Sequence, residues 1–349
     1  MAIVMLCALP VLAQNVLRVP EDYESIQAAA DAAVNGDTIR VGTGIYCGAK
    51  IAKRLTILGE GQPTITACDG SSIGLDLNWN SSFTENASGT IIRRLSFSDI
   101  AQGINMYVVS GITITHNSFS NVTTGIGGTG TDYVTIEHNT ITMQSGWCPI
   151  VSIAHKKGGT GSFWTVRHNN INVEVGSIFP GISLITGSDE TVSHNGLTGT
   201  GILLGNARQT RAANNTVEFN HIEGGVNGVG IGIYGQDGAV VRGNQIFIPS
   251  NPAGDCRAVG IQVAESGFGL SSIHSMIMNN DTRGTAVGVI VLLDKSKGTG
   301  NSIGNVLRGN FGTFAINQPA YSCGTGEVNN RSISTLITCD ETGDCNDIP

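Results

Sequence analysis

One short pattern recurs along this chain: an aliphatic residue, two residues, asparagine, one residue, then another apolar residue. It reads Ile114-Asn117-Phe119, Ile136-Asn139-Ile141, Val166-Asn169-Ile171, Val192-Asn195-Leu197, Val217-Asn220-Ile222 and Val241-Asn244-Ile246. Shorter copies follow at Ile277-Asn280 and Leu307-Asn310. Successive asparagines lie 22 to 36 residues apart. A repeat of that length, rich in β-formers, specifies a solenoid.

Between the asparagines lies a second half-repeat, a glycine followed by alternating apolar residues. Gly103-Ile104-Asn105-Met106, Gly181-Ile182-Ser183-Leu184, Gly201-Ile202-Leu203-Leu204, Gly230-Ile231-Gly232-Ile233, Gly260-Ile261-Gln262-Val263 and Gly288-Val289-Ile290-Val291 are its copies. Alternation of this kind is the pattern of a strand with one buried face. Each coil therefore holds about three short strands: the Gly-apolar strand, the strand that runs into the Asn, and the piece after it. The sharp bend falls at the Asn, which tolerates left-handed backbone better than most residues. Its amide, stacked coil on coil, bonds to its neighbours and to otherwise orphaned backbone. These asparagines are therefore expected to be structural. His116, His138, His168 and His194 directly precede four of them. Their rings are expected to point outward and stack; with no Cys or carboxylate at ligand spacing, no metal is assigned to them.

Composition agrees with a β-solenoid. Of 349 residues, 48 are Gly, 13% are charged and 5% aromatic. A repeat array of this length grows as one body. The net charge of −8 and the lack of a basic stripe exclude nucleic acid as a partner. They also disfavour a polyanionic ligand unless local Lys and Arg overturn the average. Residues 1–13, MAIVMLCALPVLA, read as a signal peptide, which predicts a secreted or periplasmic protein. No stretch has membrane-spanning length. An exported chain permits disulfides, and Cys47 with Cys68, about one coil apart, is a plausible pair. Two of Cys323, Cys339 and Cys345 are expected to staple the tail, while Cys148 and Cys256, four coils apart, cannot meet in a regular stack. The oligomeric state is not specified by the sequence.

After the leader, Ile26, Ala29, Ala30 and Ala33 share one helical face, and Gly36 supplies a stop. A helix there covers the open end of the first coil. The expected organisation is 14–60 as N-terminal cap and first coil, 61–318 as the helix of strands, and 319–349 as a Cys-containing tail. Residues 76–90 (with sequons at Asn80 and Asn86), 142–162 and 247–259 are expected to be loops. The opening segment, LRVPEDYESIQAAADAAVNGDTIRVGTGIYCGAKIAKRLTILGEG, resembles the N-terminal cap and first coil of the pectin-lyase-like superfamily, and the repeats from Ile91 to about Phe314 resemble its parallel β-helix repeat. The resemblance implies an all-β, right-handed parallel β-helix of about nine or ten coils with an N-terminal capping helix. It does not imply one activity, because one fold hosts many chemistries. The motifs of pectin methylesterases, polygalacturonases, pectate lyases and alginate epimerases are absent, so no catalytic residue is carried over.

Enzymes of that superfamily hold substrate over the outer face of the Gly-apolar strands. Alternation places Asn105, Tyr107, Ser152, Ala154, Ser183, Leu203, Gly232, Tyr234, Gln262, Ala264 and Ile290 on that face. The following turn offers Asp237, Glu265 and Asp294 at similar offsets from their glycines. Coils stack about 4.8 Å apart, so such carboxylates would bracket the spacings of glycoside hydrolysis or hold Ca²⁺. They are the candidate catalytic residues, with Tyr234, Gln262, His155, Lys156 and Tyr107 as candidate substrate contacts; His155, Lys156, Lys157 and Tyr234 are the candidate lyase bases. The expected partner is a polysaccharide, bound or processed by a lyase or glycoside hydrolase. The other reading is a non-catalytic surface, adhesive or structural solenoid.

Overall fold

The computed structural model describes residues 14–68, 70–77, 86–144, 147–154, 160–174, 179–206, 210–224, 228–248, 258–266, 269–285, 287–291, 304–312, 314–316, 336–339 and 345–348. The chain winds as a right-handed parallel β-helix. The strands that run into each bend form one sheet, from Val16–Val19 through Thr38–Val41, Thr56–Gly59 and their successors to Val306–Arg308, all parallel. The Gly-apolar strands and those after the Asn stack into the other walls.

Register explains the core. Ile104, Ile126, Ile150, Ile182, Ile202, Ile231, Ile261 and Val289 follow one another coil by coil, each with at most 2% of its surface exposed. Their opposite numbers Ile92, Ile114, Ile136, Val166, Val192, Val217, Val241, Ile277 and Leu307 are at 0%. The interior is thus columns of like residues, and the hydrophobic stabilisation of each coil depends on the coils beside it.

The asparagine column forms as expected. Asn117, Asn139, Asn169, Asn195, Asn220, Asn244 and Asn280 each donate Nδ2–H to the Oδ1 of the next asparagine, ending at Asn310, at 2.9–3.1 Å. The same Oδ1 also accepts the backbone N–H of the preceding rung. One expectation is corrected. The left-handed backbone belongs to the residue before the asparagine: His116, His138, His168 and His194 have φ of 54–56°. The asparagines themselves need an ordinary backbone to aim their amides inward along the stack.

The helix Ile26–Ala32 is capped by Ser25, whose hydroxyl accepts from the Ala28 N–H, and buries Ile26, Ala29 and Ala30. At the other end, Leu336–Cys339 pairs antiparallel to Val306–Arg308, and Cys345–Ile348 antiparallel to that. The register sets Cys339 opposite Cys345. Cys47 and Cys68 form the expected disulfide. Cys148 is a buried free thiol, its pKa pushed up to about 12 by burial against the opposing pull of Ser183. Cys256 and Cys323 lie outside the described residues. Two expected loops contain strands: Ile73–Leu77 takes in Asp76, and Thr140–Met143 and Ile150–Ile153 fall within or across 142–162.

Candidate functional site

The outer face of the Gly-apolar wall can be followed by register. Lys50 pairs with Asp76 and Asp76 with Asn105. Gly127, Val151, Ser183, Leu203, Gly232, Gln262 and Ile290 continue the column. Two residues further along the strand, Tyr107, Thr129, Ile153 and Ile185 form a second outer column. Ser152 is a correction. It aligns with Gly128 and Leu184 on the inner side and is fully buried, with its hydroxyl toward the Gly161 carbonyl at 3.4 Å. Ala154 shares its phase. Ser152's strand lacks the leading glycine that marks phase elsewhere, so alternation was counted one residue out.

Chemistry concentrates at the N-terminal end of this face. Asp76 is 6% exposed, between Leu75 and Leu77, both at 0%. Asn105 Nδ2–H donates to its Oδ1 at 2.8 Å, and Gln102 Nε2–H donates to Asn105 Oδ1 at 3.3 Å. Burial pushes the Asp76 carboxyl above the usual carboxylate range, while the Asn105 amide and the Lys50 charge pull the other way. Lys50, exposed, is held by its backbone: its N–H donates to Gln27 Oε1 at 2.8 Å. Gln27 lies on the capping helix, so the element that closes the stack also builds one wall of the site. A cleft of about 320 Å³ is lined by Gln27, Gly48, Lys50, Ser71, Ile73 and Asp76.

The sequence pointed to Asn105 and Tyr107 on this face but not to Lys50, Gln102 or Asp76. An available signal was the carboxylate in Gly74-Leu75-Asp76-Leu77, at an outward position of an apolar alternation.

The second group lies toward the C-terminus. The Tyr234 hydroxyl donates to Gln262 Oε1 at 2.9 Å, so these two candidate contacts do meet, with Gln262 5% exposed. The three candidate carboxylates fare differently. Asp237 bridges Ile273 in the next coil, and its Oδ1 meets His274 Nδ1 at 3.0 Å. Glu265 follows Ala264, the register partner of Tyr234. Asp237 and Glu265 therefore occupy different positions across the wall, and a similar offset from glycine does not place them in one column. Both Glu265 carboxylate oxygens are shielded from solvent with no hydrogen-bond partner among the described residues. Asp294, His155, Lys156 and Lys157 lie outside the described residues. No group of three His, Cys, Asp or Glu is placed to hold a metal among the described residues, and no described helix is long and apolar enough to cross a membrane.

Comparison with solved structures returns the same winding. A PL6 alginate lyase in complex with a trisaccharide superposes with a TM-score of 0.54 at 15% identity, covering 87% of this chain and 80% of that one. The catalytic domain of a GH87 α-1,3-glucanase in complex with nigerose gives 0.54 at 15% identity, covering 92% and 68%. At such identities the likeness is one of fold. No curated protein sequence matches the chain. The family described as right handed beta helix region matches residues 55–246. That span takes in most of the asparagine ladder and the coils built on it, and the chain belongs to this right-handed β-helix family.

Proposed function

We propose that this protein is an exported polysaccharide-binding β-helix whose central subsite is formed by Lys50, Asp76 and Asn105. The observation that carries this reading is their register: an ammonium, a carboxyl and an amide on three successive coils, beside an open cleft. Such a set offers donors and acceptors about one strand spacing apart, as a run of sugar hydroxyls requires. Two fold neighbours, solved in complex with a trisaccharide and with nigerose, support the ligand class. The Cys47–Cys68 disulfide supports an oxidising compartment, in keeping with the leader at residues 1–13.

Cleavage of the bound chain is a second reading, favoured by the Asp76 carboxyl, which burial holds toward its protonated form as a general acid needs. The described part of this subsite has one carboxylate, whereas paired-carboxylate hydrolysis uses two. Eliminative cleavage, with Lys50 near the acid, fits the residues better. A calcium ion is not required by either reading.

The test is a panel of alginate, polygalacturonate, α-1,3-glucan and a neutral β-glucan, scored for binding and for new ends. We expect binding to at least one member and a loss of about tenfold or more in Lys50→Ala and Asp76→Asn, each removing a charged hydrogen bond. Unsaturated ends identify a lyase, and reducing ends without unsaturation identify a hydrolase. Binding without new ends leaves a non-catalytic solenoid. Unchanged affinity in both variants removes the site.

A further inference from the structure

The bend that carries the asparagine ladder inside carries a second ladder outside. His116, His138, His168 and His194 are exposed, and consecutive ring centroids stand 5.0 Å apart. Phe219 continues the stack at 5.3 Å from His194. Arg94 occupies the equivalent left-handed position one coil before His116, at φ 59°. At that end a groove of about 690 Å³ opens between Glu60, Gln62, Arg94, Ser96, His116 and His138.

The charges around the column do not cancel. Glu60 pairs with Arg40 at 3.0 Å, Glu137 with Arg167 at 2.7 Å, and Glu218 with Arg242 at 2.6 Å. Beyond the asparagines the flanking positions are Ser96, Ser118, Thr140 and Asn170, all uncharged. The first acid on that side, Asp99, is held by Asn121 and Ser98, and His221 pairs with Glu223 at 3.1 Å. Arg93 and Arg94 are exposed and have no ion pair among the described residues. Each acid beside the column thus has a partner of its own, while two guanidinium groups and four imidazoles are left over. On a chain of net charge −8, this is the local reversal that an anionic ligand requires.

Geometry disfavours the metal alternative. The ring centroids stand 5.0 Å apart, whereas two bonds of about 2.1 Å from one zinc ion span at most about 4.2 Å, and no group of three His, Cys, Asp or Glu is placed to hold a metal among the described residues. An anion makes no such demand. It accepts N–H bonds from neighbouring rungs and lowers their mutual repulsion.

We propose that Arg94, His116, His138, His168 and His194 form an acid-gated binding strip for a carboxylate-bearing polysaccharide laid along the axis of the stack. Each rung offers a proton-dependent cation. The Ser96, Ser118 and Thr140 hydroxyls beside the rungs receive the hydroxyls of the sugar, which a polypeptide anion lacks. The strip lies on a different wall from Lys50 and Asp76, so the two sites can be separated by mutation. In the unliganded protein His168 is held below the usual histidine range, first by lost hydration and then by the charges of His194, His138 and Arg167, with Glu137 opposing. Anion binding relieves that repulsion and draws protons onto the column.

Calorimetry with polygalacturonate, at fixed ionic strength and from about pH 5 to about pH 7.5, tests this across the imidazole range. We expect affinity to fall by about tenfold or more over that window, with a buffer-dependent heat that reports proton uptake. The triple variant Arg94→Asn, His116→Asn, His138→Asn should lose about tenfold at the acid end and flatten the profile. Its backbone is compatible, because Asn279 holds the same bend position at φ 53°. The triple variant leaves Lys50, Asp76 and Asn105 in place, so a loss of its pH dependence reports on this strip and not on the Lys50 subsite. Equal affinity at both ends of the window, an unchanged triple variant, or equally tight binding of dextran or poly-glutamate would overturn the proposal. If the triple variant fails to fold, Arg94→Asn alone and the wild-type pH profile decide the matter.

Discussion

Each coil turns twice on left-handed residues, and the two bends solve the same problem differently. At one, an asparagine sits inside in every coil from Asn117 to Asn310, and each rung satisfies the next. At the other, Gly111, Tyr133, Phe163, Asp189, Asn214, Gly238, His274 and Gly304 take the left-handed position. The residue that follows inside is Ile112, Val134, Trp164, Glu190, Asn215, Ala239, Ser275 or Asn305 in turn. Some find partners: Trp164 Nε1–H donates to the Thr131 carbonyl at 2.8 Å, and Asn215 Nδ2–H to Gln236 Oε1 at 2.8 Å. Glu190 does not. It is 1% exposed and neither carboxyl oxygen has a hydrogen-bond partner among the described residues. A uniform polar column satisfies itself, whereas a mixed one leaves individual coils to improvise, and one coil is left with a buried acid.

The comparison breaks most visibly at the regular bend. Asn195→Ala strips acceptors from the Asn169 backbone N–H and Nδ2 and a donor from the Val166 carbonyl. The cost should be about 3 kcal/mol, from several buried groups orphaned at once. A fall in denaturation midpoint of comparable size checks it; a change under about 1 kcal/mol would show that water replaces the amide.

At the mixed bend the sign reverses. Burial raises the Glu190 carboxyl well above its ordinary range, so the folded state holds this proton more tightly than the unfolded chain. The group is neutral in both states at low pH. Stability is lost as pH rises from the unfolded pKa, about 4.3, toward the raised folded value. Glu190→Gln removes that titration. Its stability should match the wild type near pH 4 and exceed it near pH 8 by on the order of 1–3 kcal/mol. Parallel pH curves for the two proteins would show that Glu190 is hydrated or paired in solution.

The smallest effect is expected outside the regular bend. His194 is exposed and stacks on its neighbours only. His194→Asn keeps a residue suited to left-handed backbone and should change stability by less than about 0.5 kcal/mol. A larger loss by thermal melting would give the imidazole column a share in the fold that its exposure denies it.

Legibility in the sequence followed the same division. The asparagine bend was visible because one residue type recurs, and the Gly-apolar strands because alternation repeats. The left-handed residue was misassigned by one position, since His and Asn alternate as neighbours and only the backbone tells which turns. Ser152 was misplaced for want of a leading glycine, and Asp76 went unnoticed because its segment ran into a polar stretch. Asp237 and Glu265 were aligned by counting from glycine. Ile273, the true neighbour of Asp237, lies eight residues beyond Glu265 in the sequence, a spacing that counting from glycine does not reveal. The column of Lys50, Asp76 and Asn105 needed the pairing register, which depends on contacts between coils and not on any one strand.

The two ends of the long sheet, Val16–Val19 and the antiparallel Cys345–Ile348, lie at opposite extremes of the strand order. Tension applied between them acts along the stacking direction, in line with the hydrogen bonds that join coil to coil. Bonds loaded this way open singly, as a zip does, and each freed coil pays out roughly 3.5 Å of slack per residue. A chain anchored at one end and pulled from the other would therefore lengthen in steps at modest force, one asparagine rung per step, instead of yielding all at once. The repeat that makes the fold easy to recognise also makes it a mechanical fuse.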